Sequence, residues 1–392
     1  MPAPLPPVPR RLAWLHFWND FTLDFLTPLL PGSVGVAWLG LMEGVADAIG
    51  QALRLVTGRA SDRSGRRVPW VIAGYSANAV FRPLAGIGML LAWPWWIVAC
   101  RIGDRVGKGL RSSAADALVA DWVDPAQRPW AYSVMRTSDH AGATAGALTA
   151  ALVAWVVGEH LHADLGWAVL GLALPMLIML TLLRGLRDQP AHAPASAAAA
   201  PGWWPRERAV RWPLAVVGVA SLGAKVSPLL VLVQVAGWGD AQRIAWAPWL
   251  VCLGWAALSL AQTVAASFAA WFADRLGAQR CLVMGWLVGA AVFAAVALAS
   301  GPWLIAAGIA WGVVAGLSEG AEKSWIVAMA APAERATTFG ALALLTAGAA
   351  LAGNAGCGVG MSLIGSWIFL APAAALALGA LGVLIGGRDG GR

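Results

Sequence analysis

The amino-acid sequence predicts an all-α polytopic membrane protein of about twelve transmembrane helices arranged as two six-helix bundles. Three observations carry that fold class. Of the 392 residues, 59% are hydrophobic and only 12% are charged, where a soluble domain carries about 25% charged residues. Mean hydropathy is +0.69. Apolar runs of about 20 residues recur along the chain and lack the alternation of barrel strands.

The first six runs are 12–30, 36–55, 70–91, 93–113, 130–157 and 165–183. The first follows a Pro-rich N-terminus and the pair Arg10 and Arg11, which lead straight into a full span, so no secretory signal is expected. The next six are 212–235, 245–272, 281–299, 303–329, 337–360 and 366–385. Between the two sets lies the one long polar break, with Pro190, Pro194, Pro201, Pro205 and the alanine run 197–200, a flexible-linker composition. The expected organisation is an N-terminal bundle over 1–183, a cytoplasmic linker over 184–211 and a C-terminal bundle over 212–392.

The net charge of +7 has a topological origin that requires no nucleic acid. Arg59, Arg63, Arg66, Arg67, Arg184, Arg187, Arg206, Arg208, Arg211, Arg275, Arg280, Arg388 and Arg392 fall on one side of the proposed topology, and the opposite loops hold only Arg243. The positive-inside rule puts both termini of this multi-pass chain in the cytoplasm. Many of the 24 tryptophans cluster near span ends, as at Trp93, Trp95 and Trp96, where indoles anchor to the interface. The four cysteines, Cys100, Cys252, Cys281 and Cys357, sit in apolar spans without metal-ligand spacing and read as small packing residues.

The two halves echo one another. Ser61-Asp62-Arg63-Ser64-Gly65 recurs as Ala273-Asp274-Arg275-Leu276-Gly277, each after the second span of its half. Ala117-Leu118-Val119-Ala120 ahead of Pro125-Ala126-Gln127-Arg128 recurs as Trp325-Ile326-Val327-Ala328 ahead of Pro332-Ala333-Glu334-Arg335. Parallel six-span repeats around a midplane site are one transporter architecture. The run from Gly58 to Arg67 resembles the loop signature Gly-x-x-x-Asp-Arg-x-Gly-Arg-Arg of the major facilitator superfamily. Arg105-Val106-Gly107-Lys108-Gly109 resembles that family's fourth-span signature. The N-terminal half is similar to a bacterial permease subgroup with Arg-x-Gly-Lys-Gly-x-Arg ahead of Asp-Ala-Leu-x-Ala-Asp, here Arg105 to Arg111 and Asp116 to Asp121. Two departures stand out. The fifth-span antiporter signature Gly-x-x-x-Gly-Pro reads Gly142 to Ala147 and lacks its proline, and the second loop copy has Trp271 and Ala278-Gln279 where glycine and a basic residue would stand.

Charge placement supplies the candidate site. Seven spans carry acids or bases in their interiors: the first, second, third, fourth, fifth, seventh and tenth. A charge at mid-bilayer costs about 2.5–3.5 kcal/mol even on lenient insertion scales, so it faces a partner or a wet cavity. The family resemblance implies that the first, fourth, seventh and tenth spans line a central cavity. Those spans hold Asp20 and Asp24; Arg101, Asp104, Arg105, Lys108 and Arg111; Lys225; and Glu319, Glu322 and Lys323. Asp20 and Asp24 are one helical turn apart on one face, Arg101, Arg105 and Lys108 form a stripe, and Glu43, Asp47, Gln51 and Arg54 form another.

A carboxylate beside a guanidinium takes a proton when the guanidinium is displaced, and Asp24 with Arg105, then Asp139 with Arg136, are the proposed coupling pairs. The alternative is a permanent salt-bridge network: Asp104 with Lys108 inside one helix, and Arg82 with the Glu43 and Asp47 stripe. His140, inside the fifth span, reads as a hydrogen-bonded helix contact, and no metal site is expected. The resemblance implies that Gly58, Asp62, Arg63, Gly65, Arg66 and Arg67 form a cytoplasmic gating loop, with Asp62 capping a helix and pairing with arginine in one state.

The expected activity is secondary transport by alternating access of a small charged or zwitterionic organic solute, by proton antiport and so export. The alternatives are proton-coupled uptake, as of a siderophore or metabolite, and a non-transporting sensor or assembly factor on the same fold. No Gly-x-x-x-x-Gly-Lys-Ser/Thr loop and no nucleophile–base pair occurs, so neither ATP drive nor an enzyme is expected, and no cofactor. The expected partners are solute, protons and the lipid bilayer, with the chain acting as a monomer.

Overall fold

The structure is a computed structural model that describes residues 4–124, 127–160, 164–189, 204–205, 208–237, 247–298, 304–329 and 335–386. The described residues are helical with short connections. Helix α1 (Pro7–Leu26) starts at a proline, whose missing N–H costs nothing in a first turn, and tightens into a 3₁₀ turn where Pro28 and Pro31 interrupt it. Helix α2 (Val36–Ser64) runs 29 residues, about 43 Å at 1.5 Å per residue, and so outruns the hydrocarbon core by some two turns. It stops at Gly65, whose φ of 64° is the left-handed conformation that favours glycine after a helix. Helices α3 (Val68–Leu90), α4 (Pro94–Trp122) and α5 (Arg128–Val153) follow, and α5 passes into a π-helical stretch, Ala154–His160.

The sixth predicted span is broken into α6 (Leu165–Leu170), capped by Asp164, and α7 (Ala173–Leu183). The seventh is broken into α8 (Arg208–Ala224) and α9 (Pro228–Val235). The remaining spans are α10 (Pro248–Leu276), α11 (Ala278–Leu298), α12 (Leu304–Met329), α13 (Arg335–Ile364) and α14 (Leu370–Gly386). Gly277 ends α10 with φ 82°, so the sequence echo between Asp62–Gly65 and Asp274–Gly277 is also a backbone echo.

Among the described residues, six stretches are long and apolar enough to cross a bilayer by length and composition, and Gly340–Gly386, at 47 residues, is long enough for two crossings. Helices α1 to α4 fall outside that set because charged and polar residues interrupt their apolar stretches. This is an all-α, multi-pass membrane protein.

Contacts among the described residues gather into two compact units, drawn from Met1–Val34, Ile49–Ala199 and Ala247–Ala256, and from Gly35–Ala48, Ala200–Trp246 and Ala257–Arg392. In the first, α1 packs on α5, and α3 packs on α4, α6 and α7, around a core that includes Leu12, Leu15, Tyr75, Leu118 and Met179. In the second, α11 packs on α12 and α14, and α8 on α13 and α14. Most of the interdomain linker read from the sequence, the two Pro-Ala turns of the second echo, and Arg243 lie outside the described residues.

The α1–α5 seam depends on two glycines. A methyl group on Gly142 or Gly146 would collide with the carbonyl oxygen of Phe17 or Phe21 on α1. The Gly142/Gly146 pair is therefore a close-packing seam, as small residues are at membrane helix interfaces. Gly146→Val should destabilise the chain by about 1–3 kcal/mol or more and lower the melting temperature in detergent. Gly158, with open space around its Cα, should accept alanine with an unchanged melt.

Candidate functional site

The first unit buries a continuous polar network between α1, α3 and α4. Its pattern is set by helical spacing: Tyr75, Asn78 and Arg82 share a face of α3, and Asp104 and Arg111, seven apart, share a face of α4. Asp104 is 2% exposed. Its Oδ1 accepts from Arg82 Nε at 2.7 Å and from Asn78 Nδ2 at 2.7 Å, and Arg101 Nη1 lies 3.8 Å from its Oδ2. Arg82 Nη1 also donates to Thr22 Oγ1 at 2.7 Å and to the carbonyl of Asn19, both on α1. Arg111 Nε donates to Asn78 Oδ1 at 3.2 Å, and its guanidinium lies 4.5 Å from the centre of the Tyr75 ring. One arginine thus joins three helices, and a second closes the far end of the same seam.

These partners correct the sequence reading in two places. The ion-pair partner of Arg82 is Asp104 of α4, where the sequence reading sets it against the Glu43 and Asp47 stripe. Asp104 is held by α3 rather than by Lys108 of its own helix, because it points into the α3–α4 seam while Lys108, four residues on, is exposed.

On α1, His16, Asp20 and Asp24 recur every four residues and so line one face. His16 Nδ1 lies 2.6 Å from Asp139 Oδ1 on α5, and Arg136 Nη1 lies 3.7 Å from the other carboxylate oxygen. The Asp139–Arg136 pair read from the sequence is present, with an arginine side chain 67% exposed, but the close partner is His16. Asp20 Oδ1 accepts from Asn19 Nδ2 at 2.6 Å and lies in the field of Asp139 on α5 and of Arg111 and Lys108 on α4. Asp24, 8% exposed, accepts from Trp255 Nε1 of α10 at 2.7 Å and faces Arg82 and Arg101. Arg101 and Arg105 are both buried on α4.

Sequence reasoning weighed His140 and missed His16, although His16 lies four residues before Asp20 on the same stripe. Trp255 and Asn78 carried no such signal, because a lone indole or amide in an apolar run reads as packing.

In the second unit, Lys225 Nζ lies 3.8 Å from Glu322 Oε2, which joins two of the predicted cavity residues. Lys225 sits in the break between α8 and α9. Asn354 of α13 spans that break: its Oδ1 accepts from the Ser227 amide at 2.6 Å and its Nδ2 donates to the Lys225 carbonyl at 2.9 Å. Glu43 is buried and Asp47 half-buried on α2. The side chains of Glu319, Lys323 and Asp274 lie outside the described residues.

The loop between α2 and α3 closes on itself and on α4. Arg67 Nη1 donates to Asp62 Oδ1 at 2.5 Å and to Ser61 Oγ at 2.8 Å, and its Nε reaches Asp121 Oδ2 at 3.5 Å. Asp188, beyond α7, accepts from the Arg67 and Val68 amides at 2.8 and 3.0 Å and so caps α3. Thr57 Oγ1 donates to the Gly109 carbonyl at 2.9 Å, and Arg54 Nη2 lies 3.3 Å from Asp116 Oδ2. Of the loop arginines, Arg67 is the partner of Asp62, while Arg63 and Arg66 are exposed. Asp121 ends the Asp-Ala-Leu-x-Ala-Asp run, so that motif supplies one acid to the loop and, through Asp116, one to Arg54 of α2. Among the described residues, no group of three or more His, Cys, Asp or Glu is placed to hold a metal.

A bundle of membrane helices with a buried charge network is a frame for moving polar solutes. Residues 12–260 match the model of the Major Facilitator Superfamily, and the chain belongs to that family. An uncharacterized protein of Mycobacterium tuberculosis is 37% identical over 157 residues, 39% of this chain and 37% of its own length, so the chain spans little more than a third of that relative. An uncharacterized MFS-type transporter of Methanocaldococcus jannaschii is 27% identical over 140 residues, 34% of each chain. Among solved structures, one of the nucleoside transporter NupG superposes with a TM-score of 0.78 over 97% of this chain and 99% of its own, at 12% identity. A POT family transporter in complex with 5-aminolevulinic acid gives 0.75 over 98% and 96%, also at 12%. Likeness at that identity establishes a shared fold.

The Arg82–Asp104 pair makes a sharp test of the network. Removing one member of a buried pair costs about 3–5 kcal/mol, because the other charge is left stranded. Arg82→Ala should lose most monodisperse protein or melt far below wild type. Arg82→Lys should rescue little, since one ammonium cannot span acceptors on α1 and α4 as a planar fork does. A wild-type melt for Arg82→Lys would show that the fork geometry is dispensable.

Proposed function

We propose that this chain is a secondary active transporter that moves a small charged or zwitterionic organic solute by alternating access, driven by proton antiport, so that the solute is exported. The observation that carries the reading is the stripe of His16, Asp20 and Asp24 on α1, with His16 and Asp24 buried and Asp20 half-buried, beside the guanidiniums of α3 and α4. Buried acids of this kind, next to displaceable cations, are what a proton relay requires. Mixed signs favour a charged or zwitterionic cargo over an apolar one.

In this mechanism, Asp24 is the principal proton acceptor and Asp20 an accessory one nearer the cytoplasm. Arg101, Arg105 and Lys108 offer the competing positive charge, with Arg105 the arginine that a bound solute would displace. Asp139 with Arg136 forms a second protonation site. Lys225, Glu319, Glu322 and Lys323 bind the solute from the opposite bundle. The two bundles, 1–183 and 212–392, rock about the cavity, joined by the linker 184–211. The loop Gly58–Arg67 latches the cytoplasmic side when the cavity opens outward, with Asp62 and Arg67 as the latch pair. The protein works as a monomer in a bacterial inner membrane, with both termini in the cytoplasm. A second reading, proton-coupled uptake, is favoured by Ala147, which stands where the antiporter signature has proline.

Two experiments address the reading. In proteoliposomes loaded with a panel of zwitterionic and cationic metabolites, an imposed pH gradient should drive flux of a subset. Asp24→Asn should abolish the gradient-driven component while leaving exchange partly intact, and Asp20→Asn should be milder. Gradient-driven flux unchanged in Asp24→Asn would remove that residue from coupling, and accumulation with inward proton flow would select uptake.

The latch has its own measurement, which needs no solute. Single cysteines at the two ends of the cavity, in a background lacking the four native ones, are labelled with a thiol reagent. Asp62→Asn should shift the inward- and outward-open populations, and loss of about 1.4 kcal/mol would change their ratio roughly tenfold. Asp274→Asn should shift them less. Equal labelling of wild type and Asp62→Asn on both sides rejects the latch.

A further inference from the structure

An open, shallow pocket of about 560 Å³ lies at the start of α3 and the segment just after α7, away from the network of the proposed transport path. Its size falls within the usual range of ligand sites, about 300–1,000 Å³. Val68, Pro69, Ile72, Ala73 and Leu186 form an apolar wall, and Arg66, Arg187 and Asp188 form the polar edge. The acid at that edge is already committed, since Asp188 Oδ1 accepts the two amides at the head of α3 at 2.8 and 3.0 Å. Both arginines are exposed. The backbone of Arg187 is fixed, because its carbonyl accepts from Trp122 Nε1 at 3.1 Å.

The apolar wall does not end at the cavity. On α3, Ile72 is 38% exposed and Val80, two turns on, 53%. On α7, Leu174 and Leu177 are 70% and 58% exposed. In a membrane-spanning chain, such faces meet acyl chains. The arrangement is thus an apolar track on two packed helices that ends at two guanidiniums. Arginine matches phosphate oxygens through its planar fork, and a basic pocket between membrane helices suits an anionic headgroup.

We propose that this cavity binds the headgroup of an anionic phospholipid, whose acyl chains lie along the exposed faces of α3 and α7. Free phosphate would use the guanidiniums and leave the apolar wall wet, whereas a diacyl lipid satisfies both halves of the site. The occupant would brace the α3 cap and hold the segment after α7 against the loop that carries Arg67.

The test uses the full chain purified in detergent, with phosphatidylglycerol and phosphatidylcholine of matched acyl chains as probes. Native mass spectrometry should show a retained phosphatidylglycerol adduct and none of comparable strength with phosphatidylcholine. Arg187→Gln should weaken that adduct at least tenfold, and Arg187→Lys should restore part of it. Arg280→Gln, the same charge change on α11, should leave it intact. Ala73→Trp, which fills the cavity and keeps both arginines, should also remove it. That variant keeps the test decisive if Arg187→Gln folds poorly. Equal retention of both lipids, an undiminished adduct in Arg187→Gln and Ala73→Trp, or displacement of phosphatidylglycerol by millimolar inorganic phosphate alone would each overturn the proposal.

Discussion

The bilayer offers no water to a buried charge, and much of the first unit follows from how Arg82 meets that constraint. A guanidinium carries five donors in a fixed plane. Arg82 sends Nε to Asp104 on α4 and Nη1 to Thr22 and the Asn19 carbonyl on α1. Asn78 and Arg111 extend the seam toward the other end of α4. Close approach of the two helices is a precondition: a Cβ at Gly107 would stand 2.7 Å from the Gly74 carbonyl oxygen. Glycine pairs set the distance and the arginine sets the register, so α1, α3 and α4 cannot slide past one another without stranding a charge.

The second unit solves a different problem with fewer charges. Its polar centre lies where a helix is interrupted, between α8 and α9, and Pro228 prevents the helix from running through. Carbonyls and amides freed by such a break must be satisfied inside the protein. Asn354 does this with one amide side chain, accepting from Ser227 and donating to Lys225. The same break brings the Lys225 ammonium toward Glu322. The internal repeat therefore conserves backbone more than chemistry. Gly65 and Gly277 both end their helices in the left-handed conformation, yet only the first copy is followed by Arg66 and Arg67.

Hydropathy made the fold class and the order of spans legible, because length and apolarity are local properties. It understated α2, which the sequence reading ends at 55 and the structure carries to Ser64, since a helix continues through polar residues that a hydrophobic window excludes. It ran through the break at Pro228 for the opposite reason: the flanking residues are uniformly apolar. Helical spacing made the stripes on α1 and α4 legible, and with them most candidate residues. Pairing was not legible. Arg82 with Asp104 depends on how α3 and α4 are rotated about their axes, and Trp255 with Asp24 joins residues far apart in the chain. Even the pair that spacing did give, Arg136 with Asp139, proved secondary to His16, because a helix-internal contact competes with a better-buried partner across the seam.

The α1 stripe is where these constraints converge. His16, Asp20 and Asp24 stand about 6 Å apart along the axis, at four residues of about 1.5 Å each. At that spacing in a medium of low effective dielectric, the charge state of one is felt strongly by the next. Each also takes its nearest partner from a different place: Asp139 on α5, Asn19 on α1 itself, and Trp255 on α10. α1 is also the helix that Arg82 and the Gly142/Gly146 seam hold in register, so the stripe sits on an element fixed from two sides.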